Sequence, residues 1–167
     1  ASGDLVGSFG FPCAAGADAV LPVVLMLAGS GPTDRDGNQL GLRTDLLRML
    51  AEDLAARGIA SLRVDKRGIG ASRAAIADEA LMTIDLLASD AAQWTRAARR
   101  LADGAPVIVL GHSEGGLIAL LAARREAPDA IVLAATPGEP AIRTLERQLA
   151  QAPMPDDLRR TADRILA

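Results

Sequence analysis

Five consecutive residues carry the strongest chemical signal in this chain: Gly111-His112-Ser113-Glu114-Gly115, a G-x-S-x-G pattern. They follow an apolar stretch that ends at Leu110 and precede one with helical patterning. A serine nucleophile carried on a sharp strand-to-helix turn requires that placement. In such a turn the residues two before and two after the serine must lack side chains, and Gly111, Gly115 and Gly116 meet the need. The turn lifts the Ser113 hydroxyl above the sheet edge. It also aims the N–H of Glu114, at the helix start, toward an oxygen that gains negative charge during acyl transfer. The competing interpretation is a glycine-rich turn with a bystander serine, and the strand before and helix after weigh against it.

A second stretch, Ala28-Gly29-Ser30-Gly31-Pro32, closes an earlier apolar run. Alone it is an ordinary turn. Paired with the first motif it supplies the second backbone N–H that an oxyanion needs, from Ser30 or Gly31. The expected site is a pocket shared by the Ser113 hydroxyl with Ser30 and Gly31.

Three further features are weaker. Asp34, Asp36, Asn38 and Asp45 fall at positions 1, 3, 5 and 12 of a calcium loop, but Gln39 stands where glycine is required and no helix precedes. They are expected to order a loop beside the site and to bind no calcium. Asp65-Lys66-Arg67-Gly68-Ile69-Gly70 reads as a charged turn in which Asp65 and Arg67 pin loops beneath the site. A dinucleotide site on Gly29–Gly31 with Asp65 at the ribose fails on two counts: Asp34 occupies the third glycine position, and Asp65 lies far beyond the usual spacing of ~20 residues. His112 is the only histidine and Cys13 the only cysteine, so a Cys/His zinc site and a disulfide framework are both excluded. No metal and no organic cofactor is expected.

The elements that must hold these motifs follow from hydrophobic periodicity. Val23 to Leu27 is a continuous apolar run between Pro22 and Gly29, as in a buried strand. Thr44 is expected to cap a helix with Asp45 in its first turn, Leu47, Leu50, Ala51 and Leu54 on one face, and Gly58 at its end. Ile59 to Val64 is the next strand, followed by a helix from about Leu86 to Ala102. Pro106 to Leu110 is a third strand. Gly115 to Arg125 is a third helix with Leu117, Ile118 and Leu121 inward, and Ile131 to Leu133 a fourth strand. Leu5 to Phe11 suggests an edge hairpin. The alternation predicts an α/β fold, a mainly parallel sheet with helices on both faces. It stops after Pro137, where Ala141 to Ala150 and Asp156 to Ala167 read as two charged amphipathic helices. The expected organisation is a core over 1–137 and a helical segment over 138–167.

Composition narrows the function classes. The 167 residues are 50% hydrophobic and 23% charged, which suits one globular core and not a disordered chain. A net charge of −3 and 2% aromatics argue against nucleic-acid binding. The longest apolar run, Val20 to Ala28, is too short to span a bilayer, which takes ~20 residues. No leader is visible, so localisation stays open, with the cytoplasm slightly favoured.

Residues 20–136 resemble the front half of an α/β hydrolase. Ala28 to Asn38, Asp65 to Ser72 and Gly111 to Gly116 are similar to motifs of the esterase and serine-aminopeptidase-like branch. The resemblance implies a Ser113 nucleophile, Ser30 and Glu114 as backbone oxyanion donors, and the helices after Pro137 as the start of a cap over the acyl pocket. It implies hydrolysis of an ester, or less readily an amide, through an acyl-enzyme, with a small ester or short acyl or peptide substrate. The chain departs from the pattern in one respect. The fold's catalytic order is serine, acid, histidine, yet only acids follow Ser113. On a sharp elbow adjacent side chains diverge, so His112 is expected to point away from the Ser113 hydroxyl. The expectation is therefore a fragment that is inactive by itself, its sheet completed by a missing segment or another chain. The alternative is a non-catalytic partner-binding module derived from a hydrolase.

Overall fold

The computed structural model describes residues 3–16, 19–151, 153 and 155–166. Contacts divide the chain into two compact units, Ala1–Thr136 and Pro137–Ala167. The first holds a five-stranded sheet. Its strands are β1 (Gly7–Gly10), β2 (Val23–Leu27), β3 (Ala60–Val64), β4 (Val107–His112) and β5 (Ala130–Ala134), arranged β1-β3-β2-β4-β5. β2, β3, β4 and β5 are parallel, and β1 joins β3 antiparallel, with Phe9 opposite Leu62. The α/β class read from the sequence is the observed one.

β2 is central and all five of its residues are buried. Because strand side chains alternate between faces, it feeds two cores. Val23, Leu25 and Leu27 pack with Leu87, Ala91 and Ala98 of α2 (Ile84–Ala102) and Ile118 of α3 (Glu114–Ala123). Val24 and Met26 pack on the other face with Leu47 and Ala51 of α1 (Leu46–Ala56). Each fully buried Val, Leu, Ile or Met among them contributes about 1.5–3 kcal/mol relative to exposure. Chain order reverses at β2, which has β3 on one side and β4 on the other. In open α/β sheets the crevice at such a point, beyond the carboxyl ends of the strands, is where ligands bind.

Several local expectations are corrected. Leu5 to Phe11 holds one short strand, β1, paired to β3, and not a hairpin. Thr44 is not the cap of α1, and Asp45 is not in its first turn. Asp45 precedes the helix in a left-handed conformation, φ 51°, with no side-chain cap bond. The cause is Asn38, whose amide oxygen accepts the N–H groups of Thr44 and Asp45 at 2.9 and 2.8 Å and so holds that entry turn. α3 does not turn Leu117 inward. Leu117 is exposed and Leu121 half-buried, whereas Gly115, Gly116, Ile118, Ala119 and Ala122 form the buried face. Small residues let that face lie close against the sheet, which rotates the leucines outward. β5 is the terminal strand of the sheet on its side, with Val132 and Leu133 about half exposed.

The second unit consists of α4 (Ala141–Gln151) and α5 (Asp156–Leu166). Within it Arg159 donates to the Leu149 carbonyl at 3.1 Å and Arg147 pairs with Glu139 at 2.5 Å. The expected helix end at Ala167 lies outside the described residues. No helix among the described residues is long and apolar enough to cross a membrane.

Candidate active site

Ser113 is the single residue between β4 and α3, and its backbone is at φ 54°, ψ −121°. A non-glycine residue in that region carries strain of order 1–3 kcal/mol and persists only where its surroundings impose it. Two hydrogen bonds and two close backbone approaches impose it here. The Ser113 N–H donates to the Ala134 carbonyl at the end of β5 at 2.9 Å, and its carbonyl accepts from Gly116 at 3.0 Å. A Cβ on Gly111 would be driven into the Gly115 carbonyl, and one on Gly115 would lie 2.7 Å from the Ala28 carbonyl oxygen. The steric requirement inferred for the pentapeptide is thus met by backbone on both sides. As the first residue of α3, Glu114 has an N–H with no intrahelical acceptor, and none outside the helix is found among the described residues.

The loop after β2 lies directly against this turn. A Cβ on Gly29 would fall 3.2 Å from both the Ser113 Cβ and the His112 Nδ1. Ser113, Ser30 and His112 share a pocket of about 200 Å³, completed by Thr33, Gln39, Thr44 and Leu47. Gly31, expected beside them, does not line it. It faces a neighbouring groove of about 930 Å³ with Lys66, Arg73, Glu79 and Glu114. His112 also lines this pocket, and its Nδ1 lies over the bare face of Gly29. No hydrogen bond joins it to Ser113 among the described residues.

The loops beneath are tied by buried charge. Asp65, only 2% exposed, accepts from the Arg35 N–H at 2.8 Å, from the Arg35 guanidinium at 3.1 and 2.5 Å, and from the Ala71 N–H at 2.8 Å. Arg67 pairs with Asp90 of α2 at 2.8 and 2.6 Å and donates to the Ala75 carbonyl at 2.6 Å. The carboxylate beside it raises the Arg67 pKa.

Between these two pairs sits a residue that the sequence reading passed over. Lys66 donates to the carbonyls of Gly29 and Gly31, both at 2.6 Å. Burial lowers its pKa, and Glu114, 4.0 Å away, works in the opposite direction. One signal was available: Lys66 is the only lysine, and every other basic residue is arginine.

The candidate calcium side chains are committed to the loop itself. Asp34 accepts the N–H groups of Asp36 and Asn38, both at 2.9 Å, and Asp36 pairs with Arg63. Asp45 is held by Arg43 and Arg48 at 3.0 and 2.8 Å, and these bonds, with one from Asn38, keep its carboxyl far below the usual range. Among the described residues no group of three or more His, Cys, Asp or Glu is arranged to hold a metal ion.

The family model for serine aminopeptidase, S33, matches residues 43–160. An esterase from Thermotoga maritima, EstD, is 30% identical over 129 residues, covering 77% of this chain and 30% of its own. Among solved structures, VinJ aligns with a TM-score of 0.61 at 20% identity, over 97% of this chain and 51% of its own. A proline iminopeptidase of Mycobacterium smegmatis aligns with 0.59 at 19%, over 98% and 52%. At those identities the two structures speak for the fold alone. The chain spans less than a third of the length of the esterase and about half that of the solved structures.

Proposed function

The chain belongs to the serine aminopeptidase S33 family of α/β hydrolases, and from that premise we propose that it carries the nucleophile half of a serine hydrolase acting on carboxylic esters. Ser113 attacks the acyl carbon, its hydroxyl proton passes to a base, and the acyl C–O bond breaks as the alcohol leaves with that proton, giving the acyl-enzyme. The N–H groups of Ser30 and Glu114 hold the oxyanion, and water then releases the acid from the acyl-enzyme. The observation that carries the reading is the strained backbone of Ser113, φ 54°, in a turn pressed against the Ser30 loop. A strained non-glycine residue facing a pocket is a marker of function more than of stability. In this reading no metal or cofactor takes part, residues 138–167 begin the cap, and the edge of β5 receives further sheet.

The proton acceptor for Ser113 is the open role. His112 is the sole histidine and makes no bond to Ser113, so the proposal places the base outside these 167 residues. A neutral serine hydroxyl without a positioned base is a weak nucleophile, and the residual ~10³–10⁴-fold rate over water that oxyanion and binding contributions sustain requires an intact pocket, which in this reading is completed by segments outside these 167 residues. Stoichiometric labelling needs only one event per molecule, so it is the sensitive test. A fluorophosphonate probe should form one adduct, mapped by mass spectrometry to Ser113 and absent in Ser113→Ala. Turnover of p-nitrophenyl acetate should stay near background, with His112→Ala changing it little. Failure to label Ser113 would favour a non-catalytic binding module. Brisk turnover abolished by His112→Ala would make His112 the base.

A further inference from the structure

We infer that Lys66 is a positioning residue, whose ammonium grips the Gly29 carbonyl and thereby aims and strengthens the Ser30 N–H as an oxyanion donor. The inference rests on the hydrolase reading above. The Gly29 carbonyl and the Ser30 N–H belong to one peptide unit. That unit is planar and trans, as are all the peptides described here, so fixing its oxygen fixes its N–H in the opposite direction. Lys66 fixes the oxygen at 2.6 Å, from the side of the larger groove. The N–H is thereby turned away from that groove, toward the side where Ser113 lies. The next peptide is held from the other side: the Ser30 carbonyl accepts from Thr33 Oγ1 at 2.8 Å and Gln39 Nε2 at 3.3 Å, two residues that line the Ser113 pocket. Its N–H, that of Gly31, is turned away from the pocket. The two grips together select Ser30 over Gly31 as the donor.

Charge adds to geometry. A cation on a carbonyl oxygen gives a charge-assisted bond and polarises the peptide, making its N–H a stronger donor. Burying an ammonium is costly, and this one is 11% exposed. Its carboxylate neighbour, Glu114, is at 4.0 Å, so the two carbonyls are its primary partners. The loops are already tied without it, by Arg35 with Asp65 and by Arg67 with Asp90. The charged groups around Lys66 are Glu114 of α3, Arg73 and Glu79 across the groove, and Asp65 and Asp90 in the adjoining cavity, the last two held by their arginines. Lys66 does not line the pocket that contains Ser113, so it is not placed to take the serine proton.

Two measurements on the full chain test this. With ¹³C-carbonyl glycine and ¹⁵N serine, only two peptides give a doubly labelled NMR signal, Gly7–Ser8 and Gly29–Ser30. The Gly29–Ser30 signal should titrate with Lys66 at alkaline pH and shift in Lys66→Met, while Gly7–Ser8 stays still. Fluorophosphonate labelling of Ser113 should slow about 10-fold in Lys66→Met, less than the ~10²–10³ lost when a donor is removed outright. Lys66→Arg should recover part of the rate. The ratio of wild-type to Lys66→Arg labelling should fall as pH rises, since only lysine loses its charge. A folded Lys66→Met that labels at the wild-type rate, or an unmoved Gly29–Ser30 signal, overturns the role of Lys66 while leaving the hydrolase reading intact. If Lys66→Met does not fold, the wild-type titration and the Lys66→Arg ratio decide alone. Absence of Ser113 labelling in the wild type overturns the hydrolase reading, and this inference with it.

Discussion

The two loops that meet at Ser113 are built by different physics. The elbow from Gly111 to Gly116 is held by backbone against backbone: the glycines sit where any Cβ would strike a main-chain carbonyl or Thr136. The loop from Asp65 to Gly70 is held by charge, through partners distant in sequence: Arg35, Asp90, and the carbonyls of Gly29 and Gly31. Steric constraint is short-range and leaves a mark in contiguous residues. Electrostatic constraint is set by the fold, and its partners are known only once the chain is folded.

The comparison breaks most sharply at the elbow. Gly115→Ala should be more damaging than any change among the charged ties, because the new methyl group meets the carbonyls of Leu27, in β2, and of Ala28, just beyond it. The cost should reach or exceed the ~3 kcal/mol upper end usual for overpacking. Urea denaturation or the loss of soluble protein would register it. A Gly115→Ala protein as stable as wild type would mean that the turn has room to shift and that the strain at Ser113 is not imposed by its neighbours.

On the charged side the expected effect is smaller. Asp65→Asn keeps the shape but leaves Arg35 facing a neutral amide in a site where Asp65 is 2% exposed. Losing a charged, buried bond set of this kind should cost about 2–3 kcal/mol, visible as a lower urea midpoint. A change within error would show that water already screens the pair, and that the loop depends on its glycines after all.

How far each region was legible in the sequence follows the same division. The alternation of strands and helices, the elbow and the adjoining Ser30 loop were readable because hydrophobic period and glycine spacing are local. Thr44 was misread as a cap because the Asn38 side chain captures the N–H groups that shape the entry to α1. Leu117 was misplaced because apolarity alone did not reveal that α3 packs through its glycines and alanines. Lys66 was missed because its partners are carbonyl oxygens 37 and 35 residues back, which no side-chain pattern marks.

The smallest effect sharpens the comparison further, because it separates a charge kept for structure from one kept for the site. Burial lowers the Lys66 pKa, with Glu114 opposing incompletely. The folded state therefore binds the Lys66 proton less tightly than the unfolded chain does. Between the folded pKa and the ordinary lysine value of ~10.4, the unfolded chain carries more protons, so stability rises with pH across that window. Below it the full cost of the buried ammonium is present, and above it the cost is gone. Few other groups interfere, since the chain has no tyrosine and a single cysteine, Cys13, and its other basic side chains are arginines. Lys66→Met removes the titration. It should be at least as stable as wild type at neutral pH, and its advantage should shrink as the solution becomes alkaline, by less than either substitution above. Urea denaturation of both proteins across that range measures the difference. If wild type instead loses stability relative to Lys66→Met as pH rises, the ammonium is stabilised on folding. Lys66 would then belong with Asp65 and Arg67 among the structural ties.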